Sequence, residues 1–136
     1  MTSYPQSFWN LSNHSLDTSW SEPQKEAARA WAGPQHRLLL REAPFPNIDP
    51  EADTEAVEVL VEEQLATLGA LGCQAGDPIL VQGEFSFVVG IVPRLKQMGL
   101  IPLCATSRRL GKEALQSDGS VLKSYIFEFV RFRNYP

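Results

Sequence analysis

Phosphate-binding glycine loops, clustered histidines and paired cysteines are all missing from this 136-residue chain. Neither GxGxxG nor GxxxxGK[ST] occurs, which excludes a dinucleotide fingerprint and a P-loop. The two cysteines, Cys73 and Cys104, stand far apart and in no CxxC pair. That excludes a disulfide framework and a cysteine zinc site, and the expectation is two buried, reduced thiols. The two histidines, His14 and His36, form no HxxxH pair, so no metal site is expected, and no cofactor either. Ser12 lacks a GxSxG elbow, against a serine hydrolase. No apolar run approaches the ~18 residues of a membrane helix, so no membrane partner is expected. The opening MTSYPQSFWN has neither a basic nor an apolar leader segment, and a cytoplasmic location is the expectation.

What is present is ordinary for one globular domain over 1–136: 43% hydrophobic and 21% charged residues. The net charge of −4 argues against long nucleic acid as a partner, but it is unevenly spread. Residues 1–93 hold four basic residues against thirteen acids, and residues 94–136 hold eight against three. Seven acids crowd between Asp49 and Glu63. The C-terminal third can therefore meet an anion, or the acidic segment of its own or another copy.

Strands and helices alternate along the chain. Ser7–Leu11 reads as a strand that ends in the polar string Ser12–Ser15. Ser21 and Gln24 form a capping-box pair opening a helix through Trp31, which Gly33-Pro34 stops. Arg37–Leu40 is a second strand. Asp49-Pro50 starts a long helix with apolar positions at Val57, Leu60, Val61, Leu65 and Leu68, ending near Gly69 or Gly72. Ile79–Val81 is a short apolar run suited to a doubly covered parallel strand. A helix from about Ser86 to Gly99 contains Pro93, which should kink it. Ile101–Ala105 is a fourth strand ending in Thr106-Ser107-Arg108-Arg109. A DG turn at Asp118-Gly119 then precedes an aromatic strand from Val121 to Phe132, with Gly111–Leu115 as its hairpin partner or a small helix. Strict alternation on that strand puts Phe127, Phe129, Arg131 and Arg133 on one face and Ile126, Val130 and Phe132 on the other. The expected fold class is α/β: one Rossmann-like domain, a mainly parallel sheet with helices on both faces and an antiparallel C-terminal strand or hairpin.

In such sheets ligands bind beyond the carboxyl ends of the strands. That places Asn10–His14, Pro44–Asn47, Gln82–Ser86 and Thr106–Arg109 on one rim. Gly83 and Ser86, at a helix N-terminus, offer backbone and hydroxyl donors to an anion; the alternative is a tight turn capped by Ser86. Thr106, Ser107, Arg108 and Arg109 can together hold a phosphate; the alternative is a solvated loop pairing with the acidic helix. His14 is a general base or base-stacking group, or an idle loop residue. The aromatic strand can stack on bases, pack a core or join two copies.

The polar loop after the first strand (Asn10–His14), the GEFS turn (Gly83–Ser86) and ATSRR after the fourth strand (Ala105–Arg109) resemble CARF domains, the CRISPR-associated Rossmann folds. Their small stand-alone members include ring nucleases. The resemblance implies a homodimer whose two rims form one pocket for a cyclic oligoadenylate, without an attached effector domain. It implies metal-independent cleavage by a ribose 2′-hydroxyl in type III CRISPR signalling, or sequestration without cleavage. It casts Ser12, His14 and Arg108 as catalytic, and Asn10, Asn13, Gly83, Glu84, Ser86, Thr106, Ser107 and Arg109 as ligand-binding. Glu84 beside a phosphate is a conflict unless it pairs with arginine or binds an adenine edge. A protein-interaction subunit built on the acidic helix and aromatic strand is the reading outside this ligand class.

Overall fold

A computed structural model describes residues 4–136, so Met1–Ser3 of the leader reading lie outside the described residues. The elements run β1 (Ser7–Ser12), α1 (Glu22–Arg29), β2 (Leu39–Glu42), α2 (Thr54–Leu71), β3 (Pro78–Gln82), α3 (Phe85–Gln97), β4 (Ile101–Leu115) and β5 (Val121–Asn134). They build one five-stranded sheet in the order β2-β1-β3-β4-β5. The first four strands are parallel and β5 is antiparallel to β4. The expected α/β class and antiparallel end are therefore present. The strand order reverses between β1 and β3, which is where a doubly wound sheet opens a crevice.

Alternation within the buried strands divides the core. Trp9, Leu11, Ile79 and Val81 pack under α2 and α3 with Leu65, Leu68, Phe87, Ile91 and Leu95. Phe8, Leu80 and Leu103 face the other way, toward Ala28 of α1, Trp20 and Leu38. Full burial of such side chains stabilises the fold by about 1.5–3 kcal/mol each. Trp9 is also pinned by polar contacts: its Nε1–H donates to Asp77 Oδ2 at 3.0 Å, and the Arg41 guanidinium lies 4.3 Å above its ring. Arg41 also donates to the Leu71 carbonyl at the C-terminus of α2, where a cation suits the helix dipole.

Several boundaries depart from the sequence reading for local reasons. Ser21 caps α1 as expected, accepting from Gln24 N–H, but the helix stops at Arg29 rather than Trp31. The second strand runs Leu39–Glu42 rather than 37–40, set by its register with Ser7–Asn10. Asp49 accepts from Glu51 N–H in a turn of its own; Asp53 caps α2 by accepting from Ala56 N–H. Gly72, at φ +100°, closes α2. Glu84, not Ser86, caps α3, and Pro93 is accommodated on its exposed side. Both cysteines are half-buried rather than buried. Burial, with Asp77 nearby, pushes the Cys73 thiol up to about 12, so it stays protonated and inert.

The largest departure is β4. It does not end at Ala105 but runs on to Leu115, fifteen residues in all, paired with β5 from Leu103 onward. Its pairing with β3 covers only Ile101, Pro102 and Leu103. Beyond that point β4 and β5 leave the sheet as a two-stranded arm. The DG turn closes it, with Gly119 at φ +86° and Asp118 Oδ1 accepting from Ser120 N–H.

Gly83 shows why a small residue is required between β3 and α3. A Cβ there would lie 2.2 Å from Phe45 Cζ, and Phe45 is packed edge-on against Phe87. The glycine makes room for the Phe45 ring. Gly83→Ala is expected to destabilise the domain by about 1–3 kcal/mol, the usual cost of overpacking, measured by urea denaturation. An unchanged midpoint would show that Phe45 moves aside freely.

Candidate functional site

At the carboxyl end of the sheet one side chain organises the loop after β1. Asn10 is fully buried, yet all its polar atoms have partners. Its Nδ2 donates to Glu42 Oε1 at 2.7 Å and to the His14 carbonyl at 2.8 Å. Its Oδ1 accepts from Ser12 Oγ at 2.7 Å. Glu42 Oε2 accepts from Leu16 N–H, and Ser12 Oγ accepts from His14 N–H. Two side chains from adjacent strands thus fold residues 12–16 into one shape. Asn10 is a positioning residue with no surface for a ligand.

This loop divides the rim into two hollows. One, of about 350 Å³, is lined by Ser12 and His14 on one side, Trp20 and Gln24 behind, Gln82 at the base, and Thr106, Ser107, Phe127 and Phe129 opposite. The other, of about 580 Å³, contains Asn13, Asp17, Glu42 and Phe45. The first has no carboxylate in its lining and the second has two. An anionic ligand is favoured in the first.

The first hollow exists because β4 diverges from β3. Where the ladder stops, the Gln82 side chain takes its place, accepting from Ala105 N–H at 3.1 Å and reaching the Ala105 carbonyl. At the same level a bulge between Thr106 and Ser107 shifts the β4–β5 register, leaving Val130 unpaired. The Thr106 hydroxyl bridges the bulge, donating to the Arg131 carbonyl and accepting from its N–H. The bulge overturns the alternation expected from sequence. Phe132 turns inward against Phe8 and Trp20, and its ring lies 4.9 Å from Phe129. An aromatic wall of Trp20, Phe129 and Phe127 results. The Trp20 indole N–H is buried and meets no acceptor among the described residues.

The structure brings Ser12, His14, Thr106 and Ser107 together, as the rim argument expects. It separates the rest. Asn13 faces the second hollow. Glu84 turns its carboxylate onto its own helix, accepting from Ser86 N–H, Ser86 Oγ and Phe87 N–H. Those bonds, Ser86 first, hold its carboxyl below the usual range. The α3 N-terminus thus carries its own anion, and the Ser86 donors expected to meet a phosphate are held by Glu84. The two arginines do not form a fork. Arg109 is opposite Phe127 and shares the face of the hollow, while Arg108 is opposite Glu128 on the other face. Arg109 stacks over Tyr125 at 3.9 Å. Ser12 and Thr106 hydroxyls are committed internally, whereas Ser107 has no partner among the described residues.

Trp20 lines the hollow but was not among the expected site residues, and Gln82 was placed on the rim without a role. The signals existed: Trp20 directly precedes the Ser21 helix cap, and Gln82 is the polar residue that ends the buried run of β3.

Fold and site together define a doubly wound α/β domain with a carboxylate-free cavity beyond its strand ends. Residues 6–133 match the family described as Uncharacterized protein MJ1673 family, and the chain belongs to that family. No curated protein matches the chain. Among the described residues no helix is long and apolar enough to cross a membrane, and no cluster of three metal-ligating side chains occurs.

Asn10→Ala would leave the Glu42 carboxylate, the His14 carbonyl and the Ser12 hydroxyl short of a partner. A loss of about 2–3 kcal/mol is expected from those uncompensated buried groups, with faster amide exchange at His14 and Leu16. A loss under about 0.5 kcal/mol would show that the loop holds without the amide.

Proposed function

We propose that this chain binds a cyclic oligoadenylate in the hollow between the β1 loop and the β4–β5 bulge. The observation that carries the reading is that hollow: free of carboxylates, walled by aromatic rings and lined by His14 and Ser107, with Arg109 on the same face of the ribbon beyond it. Its volume of about 350 Å³ falls within the usual ~300–1,000 Å³ of small-ligand sites. Adenine stacks against Trp20, Phe127 or Phe129, as bases do on aromatic platforms. Arg109 meets a phosphate by a charge-assisted hydrogen bond. The resemblance to CARF domains supports the ligand class, a homodimer with facing rims, and a place in type III CRISPR signalling.

Cleavage on this reading needs a nucleophile that the ligand itself carries. The ribose 2′-oxygen attacks the adjacent phosphorus, the 5′-oxygen leaves, and the products are a 2′,3′-cyclic phosphate and a 5′-hydroxyl. His14 takes the 2′-hydroxyl proton and passes it to solvent, a water protonates the departing 5′-oxygen, and Arg109 stabilises charge on the phosphoryl oxygens. One observation favours binding without turnover: the Ser12 hydroxyl is already committed to Asn10, leaving His14 as the one titratable group in the lining.

The test is incubation of the purified chain with cyclic tetra-adenylate and cyclic hexa-adenylate in EDTA, following binding and products together. Arg109→Ala is expected to weaken binding about 10–100-fold, the loss of one charge-assisted contact. His14→Ala should retain binding and abolish the 2′,3′-cyclic phosphate product. Binding with no product from the unaltered chain establishes the sequestering reading. Binding of neither ring refutes the nucleotide assignment.

A further inference from the structure

Among the described residues the arm formed by β4 and β5 beyond Ser107 has no neighbour that explains its surface. Both of its faces are exposed, and a two-stranded ribbon alone is marginally stable in water. Arg109, Tyr125 and Phe127 continue the face of the hollow. The opposite face pairs Leu110 with Ile126 and Ala114 with Leu122, flanked by Arg108 and Lys112. Leu110, Ile126 and Leu122 are 40%, 56% and 57% exposed. This face is an apolar strip with two cations, Arg108 and Lys112, along its β4 edge and one carboxylate, Glu128, across from Arg108.

The same chain carries its complement. Between α2 and α3 lies a groove of two adjoining hollows, about 530 and 370 Å³. Val57, Val59 and Val89 give it an apolar surface, and Asp53, Glu55 and Glu58 line it with negative charge. Arg94, the one cation in the lining, is occupied by Glu62. Val89 and the neighbouring Phe85 are largely exposed.

Position completes the match. α3 begins directly after β3, and the α2 N-terminus lies beside that of α3 across the groove, so the mouth of the groove opens at the carboxyl end of the sheet. The arm springs from the same end, at the bulge. Its nine residues from Ser107 to Leu115 reach about 30 Å at strand rise. Two copies meeting rim to rim would each lay an arm across the other.

We propose that the Leu110–Ile126 face of the arm seats in the α2–α3 groove of a second copy of this chain, forming a reciprocal dimer. Arg108 and Lys112 meet Glu55 and Glu58 there, and the isologous exchange closes the assembly at two. The clasp does not depend on nucleotide, so it stands or falls separately from the ligand assignment.

A charge swap in the full chain, without nucleotide, tests it by size-exclusion chromatography with light scattering. The unaltered chain is expected to be a dimer. The arm variant Arg108→Glu/Lys112→Glu and the groove variant Glu55→Lys/Glu58→Lys should each be monomeric at the same concentration. All four positions are exposed, and unchanged circular dichroism and melting would show that both variants fold. Mixed in equal amounts, the two should recover a dimer, because each arm then meets a groove of opposite charge. A monomeric unaltered chain overturns the proposal. So does a groove variant that remains dimeric, which would mean that arms pair with each other along their edges. Failure of the mixture to recover a dimer overturns it as well.

Discussion

A buried amide decides the shape of this protein's rim. Asn10 sits on a central strand with no access to water, and such a group is tolerated only when its polar atoms are paired. Pairing draws in Glu42 from the edge strand, the Ser12 hydroxyl and the His14 carbonyl. Glu42 then holds Leu16. A requirement of the core is thereby transmitted to an exposed loop, and the loop separates a hollow without carboxylates from one that contains two. The electrostatic character of the site follows from the satisfaction of one side chain.

The other wall follows from a strand that outgrows its sheet. β4 pairs with β3 for three residues and with β5 for more than a dozen, so it must diverge. Gln82 closes the gap that the divergence opens, and the bulge at Thr106 turns Phe132 inward beside Trp20. The same divergence frees an arm with two differently furnished faces. One continues the hollow and the other exposes the Leu110–Ile126 apolar strip with Arg108 and Lys112 beside it. Arg108 and Arg109 are adjacent in sequence but belong to these different surfaces.

Fold class was readable because each of its signals is local. Short apolar runs mark the strands, Ser21 and Gly72 mark helix ends, and the DG pair marks the hairpin. The rim could be placed because parallel topology puts every strand's carboxyl end on one side. Pairing length was not readable: nothing in Thr106–Arg109 announces that β5 will carry it as strand rather than loop. The bulge, set where Thr106 meets Arg131 across 25 residues of chain, was equally hidden, and alternation misassigned Phe132 for that reason. Glu84 was read as a threat to anion binding because capping by its own carboxylate is visible only once the turn is folded.

The central claim is that the carboxylate-free hollow is the nucleotide site. Amide-detected NMR with cyclic tetra-adenylate as titrant tests it directly. The account predicts shifts at the Ser12–His14 and Thr106–Ser107 amides, the Gln82 side chain and the Trp20 indole, with Asp17 little affected. Shifts confined to the Asp17 hollow or to the α2–α3 groove would contradict it.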